Sequence, residues 1–320
     1  MIFSHTFLYS ILIVAFILVV ITGIDTSLAS KDPEEYTLVE DWGSEGAGNG
    51  EFNVPHSIAF DSPGNAYITD TNNHRVQKFS SDGKFIMKWG SKGAGDGEFV
   101  NPEGIDVDSS GNIYVADTGN SRIQKFSSDG KFIMKWGSKG TSDGEFSSHA
   151  HGVAIDSSDN VYVTDRFNHN IQKFSSDGKF IMKWGSKGSG DGQFNEPHSS
   201  AIDSLGNVYV SDMNNHRVQK FSSDGKFIMK WGSEGSGDGQ FILPLGIDLD
   251  SSNNVYVVDR EASTLKKFSN DGLYISSMVV SGGTNGDHQP ILEDIELDRS
   301  NNIYLTDRGQ HEIHKYIMAE

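Results

Sequence analysis

One string constrains this chain more than any other feature: QKFSSDGKFIMKWGS stands unchanged at four places, starting at Gln77, Gln124, Gln172 and Gln219. Trp42, Trp89, Trp136, Trp184 and Trp231 carry the same register at spacings of 47, 47, 48 and 47. Asp70, Asp117, Asp165, Asp212, Asp259 and Asp307 count six units, and Phe79, Phe126, Phe174, Phe221, Phe268 and Tyr316 repeat the count. A fixed period of this length means that each copy is one supersecondary unit that buries its apolar face against the next.

Each unit reads as four short strands. In the second, Gly104–Asp108 is strand a, Ser109–Asn112 a turn, and Ile113–Asp117 strand b. Arg122–Phe126 follows as strand c, Asp129-Gly130 as a hairpin turn that needs positive φ, and Lys131–Trp136 as strand d. Nothing reads as a helix of useful length. Four strands at this period predict an all-β, six-bladed β-propeller around a central channel. The sixth unit has strand a (Ile295–Asp298), strand b (Ile303–Asp307) and strand c (Glu312–Ile317) but no strand d. Residues 36–42 match strand d and precede the first strand a. They are expected to complete the last blade, closing the ring and removing an open sheet edge.

At these residues a resemblance becomes plain. Pro-His-Ser, then Gly-Asn-x-Tyr, Asn-x-Arg-Val-Gln-Lys-Phe, Asp-Gly-Lys-Phe and Trp-Gly resemble NHL repeats, over residues 36–317. The resemblance implies the propeller over residues 36–320. For function it implies either a binding module or, in some relatives, a lyase.

Ahead of this domain, residues 7–24 form an uncharged apolar run, followed by Ser27-Leu28-Ala29 and then Lys31-Asp32-Pro33-Glu34-Glu35. Residues 1–29 read either as a signal peptide cut after Ala29 or as an uncleaved anchor. Both place the propeller outside the cytoplasm, secreted or held at a membrane through residues 7–24. There is no Cys, so disulfides and thiolate metal sites are excluded. A formal net charge of −18 repels phosphate backbones and argues against a nucleic-acid partner.

The six copies differ in two places. One is the residue expected just before strand a: His56, Glu103, His151, His198, Leu245 and Glu293. The other is the b–c loop: 71–75, 118–122, 166–170, 213–217, 260–264 and 308–312. The d–a and b–c connections share one face of a propeller, and loops on a rigid scaffold carry function. His56, His151, His198 and Glu103, converging where strand a enters the channel, offer three imidazoles and a carboxylate, a set suited to Zn²⁺. The alternative is a set of polar residues bonded to neighbours or water at a wet channel mouth. The resemblance adds a role: in the peptidyl-hydroxyglycine amidating lyase branch, Pro-His motifs at this place supply three zinc-binding His. By motif, these are His56, His151 and His198. Where that branch carries a proton-transferring Tyr, this chain has Phe167, flanked by Arg166; Arg308 is a further anion-binding group on the ligand face.

The b–c His (His74, His169, His216, His311) read as turn residues copied with the repeat. The Gly-rich d–a loops, such as 90–99, read as flexible connections, since they lack a phosphate-loop ending. Two functions are therefore expected: recognition of a protein, peptide or glycan on the d–a and b–c face, with a metal-dependent lyase or hydrolase as the alternative.

Overall fold

A computed structural model describes residues 36–281 and 289–319. The expected leader or anchor lies outside the described residues. The first strand, β1 (Tyr36–Trp42), precedes blade one: β2 (Pro55–Phe60), β3 (Ala66–Asp70), β4 (Arg75–Phe79) and β5 (Phe85–Trp89). Blade two is β6 (Pro102–Val107), β7 (Ile113–Asp117), β8 (Arg122–Phe126) and β9 (Phe132–Trp136). Blade three is β10 (Ala150–Ile155), β11 (Val161–Asp165), β12 (Asn170–Phe174) and β13 (Phe180–Trp184). Blade four is β14 (Pro197–Ile202), β15 (Val208–Asp212), β16 (Arg217–Phe221) and β17 (Phe227–Trp231). Blade five is β18 (Pro244–Leu249), β19 (Val255–Asp259), β20 (Thr264–Phe268) and β21 (Tyr274–Val279). Blade six has β22 (Leu292–Leu297), β23 (Ile303–Asp307) and β24 (Glu312–Met318), and β1 is its fourth strand. β1 pairs antiparallel with β24, from Tyr36 opposite Met318 to Trp42 opposite Ile313. The expected closure is the observed one.

Strand b of every blade is buried on both faces, and the six cores lie between neighbouring blades. Trp89 of blade one packs on its own Tyr67 and on Phe126 of blade two. The c–d hairpin of the next blade rests against the same indole. Gly130 has φ +74°, and a Cβ there would lie 3.0 Å from the Trp89 ring. The turn therefore needs glycine for its backbone and for its contact.

The Gly-rich d–a loops are pinned, contrary to the sequence expectation of flexible connections. Arg75 donates to Asp70 through Nε and to the carbonyls of Ala47, Gly48 and Glu51 through its two Nη atoms. Arg122 and Arg217 repeat the arrangement. A buried Phe from each of the first five loops, Phe52 in the first, packs on the strand-c Phe of the blade that follows it. In these three loops the guanidinium takes the carbonyls that a cation would need. The repeated Asp is the hub: Asp70 also accepts from the Asn53 backbone and the side chains of Asn73 and Gln77.

Candidate metal centre at the channel mouth

Every strand a carries a bulge at its start. Between Pro55–Asp70 and Ile58–Ile68, two residues of β2 face one of β3, and the same shift recurs in all six blades. The variable residues thus sit inside the strand as its second residue, not just before it. A bulge re-aims side chains, and here it turns His56, His151 and His198 toward the channel.

Strand b fixes these bulges. Thr69 Oγ1 donates to the Glu103 carbonyl, Ser211 Oγ to the Leu245 carbonyl and Thr306 Oγ1 to the His56 carbonyl, each bond reaching the next blade. Blades two and five have Ala116 and Val258 at this position, and blade three has the hydroxyl without the bond. The Thr164 hydroxyl is buried without a partner, because His151 Nδ1 takes the His198 carbonyl at 2.9 Å. A carbonyl only accepts, so Nδ1 carries the proton, and in the neutral ring His151 Nε2 presents a bare lone pair.

That lone pair points among acidic and imidazole atoms. One donor atom from each of His56, His151, His198 and Glu293 lies within 4.8 Å of the other three, and all four residues are buried. His56 Nε2 is 3.3 Å and His198 Nε2 3.4 Å from Glu293 Oε1. Tetrahedral coordination with bonds of about 2.0–2.2 Å separates ligand atoms by roughly 3.3–3.6 Å. The spacing and the donor types fit a divalent ion of the zinc kind.

Glu103, expected as the carboxylate ligand, is not a member of this set. Its Oε2 lies 3.6 Å from His151 Nε2 and has no hydrogen-bond partner. Glu293 takes the place because ring closure puts blade six beside blade one, so its carboxylate meets His56 directly. Its two oxygens are divided: Oε1 faces the imidazoles, while Oε2 accepts from Arg260 and, at 3.4 Å, from Arg308. Arg260 was not foreseen, since an Arg in a b–c loop looks like surface charge.

Burial holds all three imidazoles below their ordinary titration range, His151 and His198 well below it, with neighbouring His and Arg charges adding to the effect on those two. They are neutral, the form that binds metal. His56 Nδ1 and His198 Nδ1 are buried with no partner. Below the cluster the channel encloses about 220 Å³. Deeper carboxyls serve the scaffold there: Asp106 and Asp248 accept from the backbone N–H of Ile155 and Leu297 in the next blade, and burial raises both to about 7.

The ligand-face residues divide. Arg308 has a side chain 40% exposed at the rim. Arg166 is tied to Glu196 through Nε and Nη2. Phe167 is 43% exposed and lies tilted against His149, with 4.3 Å between ring centroids. The b–c His do structural work, as turn residues should. His74, His169, His216 and His311 all have positive φ, and their Nδ1 atoms bond the backbone of Asn101, Glu196, Ile242 and Val54.

Comparison with known proteins agrees with this architecture. Residues 49–136 match the family described as 6-bladed beta-propeller, and residues 148–174 and 194–221 match the NHL repeat. Among curated proteins none matches by sequence. Virginiamycin B lyase from Staphylococcus aureus superposes with a TM-score of 0.63 at 12% identity, covering 89% of this chain and 100% of its own. A gluconolactonase from Xanthomonas campestris does so at 0.63 and 13%, covering 90% and 97%. A protein of unknown function from Bacteroides thetaiotaomicron reaches 0.65 and 20%, covering 89% and 76%. At these identities the likeness shows the fold alone.

Proposed function

We propose that this six-bladed NHL-repeat propeller holds a divalent metal ion through His56, His151, His198 and Glu293, and uses it in a lyase or hydrolase reaction on a ligand entering at the b–c loop face. The observation that carries this reading is His151. Its Nδ1 proton is fixed by the His198 carbonyl, and its bare Nε2 faces the Glu103 carboxylate oxygen at 3.6 Å. With the ring neutral, these two electron-rich atoms stand beside the His56 and His198 nitrogens and Glu293, and a cation bound by that set would offset them.

The bound ion would supply Lewis acidity to a substrate oxygen or to a water. The chain's own residues do the rest. His151 holds its geometry through its bond to the His198 carbonyl, and all three imidazoles are aimed by the strand-a bulge. Arg260 and Arg308 fix the outer oxygen of Glu293 and so orient the inner one. Glu103 keeps an unpartnered carboxylate oxygen beside the cluster and is the group in reach to accept a proton. Arg308, half exposed and with donors to spare, favours a ligand bearing an anionic group. Phe167 has no proton to transfer and offers an apolar face instead.

Loading with Co²⁺ tests the site directly. A visible absorption band of low-coordinate Co²⁺ should form with the wild-type protein and vanish in His56→Ala, His151→Ala and His198→Ala. A featureless spectrum in the folded wild type would sink the proposal.

A second reading keeps the face and drops the chemistry: recognition of a protein, peptide or glycan, with nucleic acid disfavoured by the acidic charge. The exposed Phe167 tilted against His149, with the Arg166 guanidinium 5.4 Å from the Phe167 ring centre, favours it. Phe167→Ala would weaken such binding without altering metal content. We further propose that the propeller works outside the cytoplasm, secreted or anchored through residues 7–24. Cell fractionation that finds it in the cytosol would exclude this.

A further inference from the structure

The blade-closing seam holds a buried histidine set between two carboxylates, an arrangement no other blade has among the described residues. His314 on β24 is fully buried. Its Nδ1 lies 2.7 Å from Asp41 on β1, and its Nε2 lies 3.2 Å from Asp307 on β23. Both ring nitrogens face carboxylates, which only accept when ionised, so both must donate and the ring is an imidazolium.

The same two positions can be followed around the ring. Asp41 stands opposite His314. The equivalent pairs are Lys88 opposite Gln77, Lys135 opposite Gln124, Lys183 opposite Gln172 and Lys230 opposite Gln219. In blade five the pair is Ser277 opposite Lys266. The seam has thus reversed the chemistry on both strands at once. An acid replaces the strand-d Lys, and a cationic ring replaces the strand-c Gln.

Reversal matters because the hairpins are near copies. The closing strand is the only strand d not tethered to its strand c by a short hairpin loop. On backbone pattern alone it could pair with strand c of another copy of the chain, and a strand d of another blade could occupy β24. Such strand exchange is a standing hazard of repeat folds. A Lys-bearing strand d set against His314 would place a second cation beside the imidazolium and remove its Asp41 partner. Asp41 set against a Gln would bury a carboxylate without its cation. Each wrong pairing trades an ion pair for a like-charge contact or for a carboxylate left without its cation, and such penalties enforce partner choice.

We propose that Asp41, His314 and Asp307 form a partner-selecting latch, which admits β1 to blade six of its own chain and disfavours strand exchange between copies. The groups facing the imidazolium are Asp41 from β1, Asp307 from β23 and Glu312 from β24, with Tyr316 further along. The two hydrogen-bonded carboxylates raise the His314 pKa against the opposing effect of burial. A group whose folded-state value is raised stabilises fully below its unfolded value, here 6.5, and its contribution is lost as pH rises through the folded value. The latch is therefore tightest in mildly acidic solution and loosens on the alkaline side.

Three full-length variants test this. His314→Gln leaves two buried carboxylates without their cation and should lower Tm by roughly 6–12 °C at pH 6, with a smaller deficit at high pH. The double variant Asp41→Lys with His314→Gln installs the pair of blades one to four. It should regain most of that Tm, yet give a larger dimer fraction than wild type when refolded at high concentration and sized by light scattering. Asp41→Asn, isosteric and uncharged, should fall between them. If the double variant refolds to the same monomer fraction as wild type, partner selection is overturned. If His314→Gln melts like wild type at every pH, the ionic latch itself is overturned. Should His314→Gln fail to fold, the double variant still decides the question.

Discussion

The outer and inner halves of each blade obey different rules. Strands c and d and their hairpin are copied almost without change in blades one to four, where their side chains repeat the same tasks: an aromatic stack, a glycine turn against an indole, a Lys on the outer wall. Strand a changes at its second residue in nearly every blade, while its backbone bulge never changes. The scaffold is constant where it packs and varied where it converges. A propeller can vary only there without losing its walls, because the residues at the mouth touch the channel and each other rather than the inter-blade core.

Predictions that probe this contrast run from the wall inward and then out to the surface. Asp212 is buried and accepts from Arg217, Asn215, Gln219 and the Asn195 backbone. Asp212→Ala strands a buried guanidinium, and chemical denaturation should show a loss of about 3–5 kcal/mol. Gly130→Ala forces a Cβ against Trp89 at positive φ and should cost about 1–2 kcal/mol by the same measurement. Ile133, exposed on the outer wall like its equivalents in other blades, should tolerate Thr within about 0.5 kcal/mol. A large loss at Ile133 or none at Asp212 would break the division between wall and surface.

The pH response separates the mouth from the seam. Burial lowers His56, His151 and His198 below their ordinary 6.5. For groups lowered by folding, protons bind the unfolded chain first, so stability falls as pH drops below 6.5 toward the folded values. Metal retention should be flat above neutrality and lost in acid, whereas the His314 contribution is lost in the opposite direction. Melting curves of metal-free wild type and His314→Gln between pH 5 and pH 9 would show whether these opposing trends exist.

Almost all of the fold was legible because the period is written in the letters. The Trp and Asp columns count six blades, and the absent last strand d finds its replacement in residues 36–42. The His column was legible too, since three His stand at one register of a strand that must line the channel. The choice of carboxylate was not. Glu103 lies between His56 and His151 in chain order, but the set is completed across the closure, where Glu293 of blade six abuts blade one. Arg260 and the Arg75-type clamps were missed because a charged residue in a loop reads as solvated, and only its buried carbonyl or carboxylate partners show otherwise. His314 was hidden for a different reason: its meaning rests on a pairing with Asp41, a residue near the other end of the chain. That pairing exists only once the ring is shut.

The central claim is that the mouth cluster, and not the other histidines, holds a metal ion. The most direct test is metal content by mass spectrometry after zinc loading and dialysis, on wild type, His151→Ala and His74→Ala. Stoichiometric zinc in wild type and His74→Ala, with none in His151→Ala, is the predicted result. Folded wild type that retains no metal, or loses it equally through His74→Ala, would contradict the account.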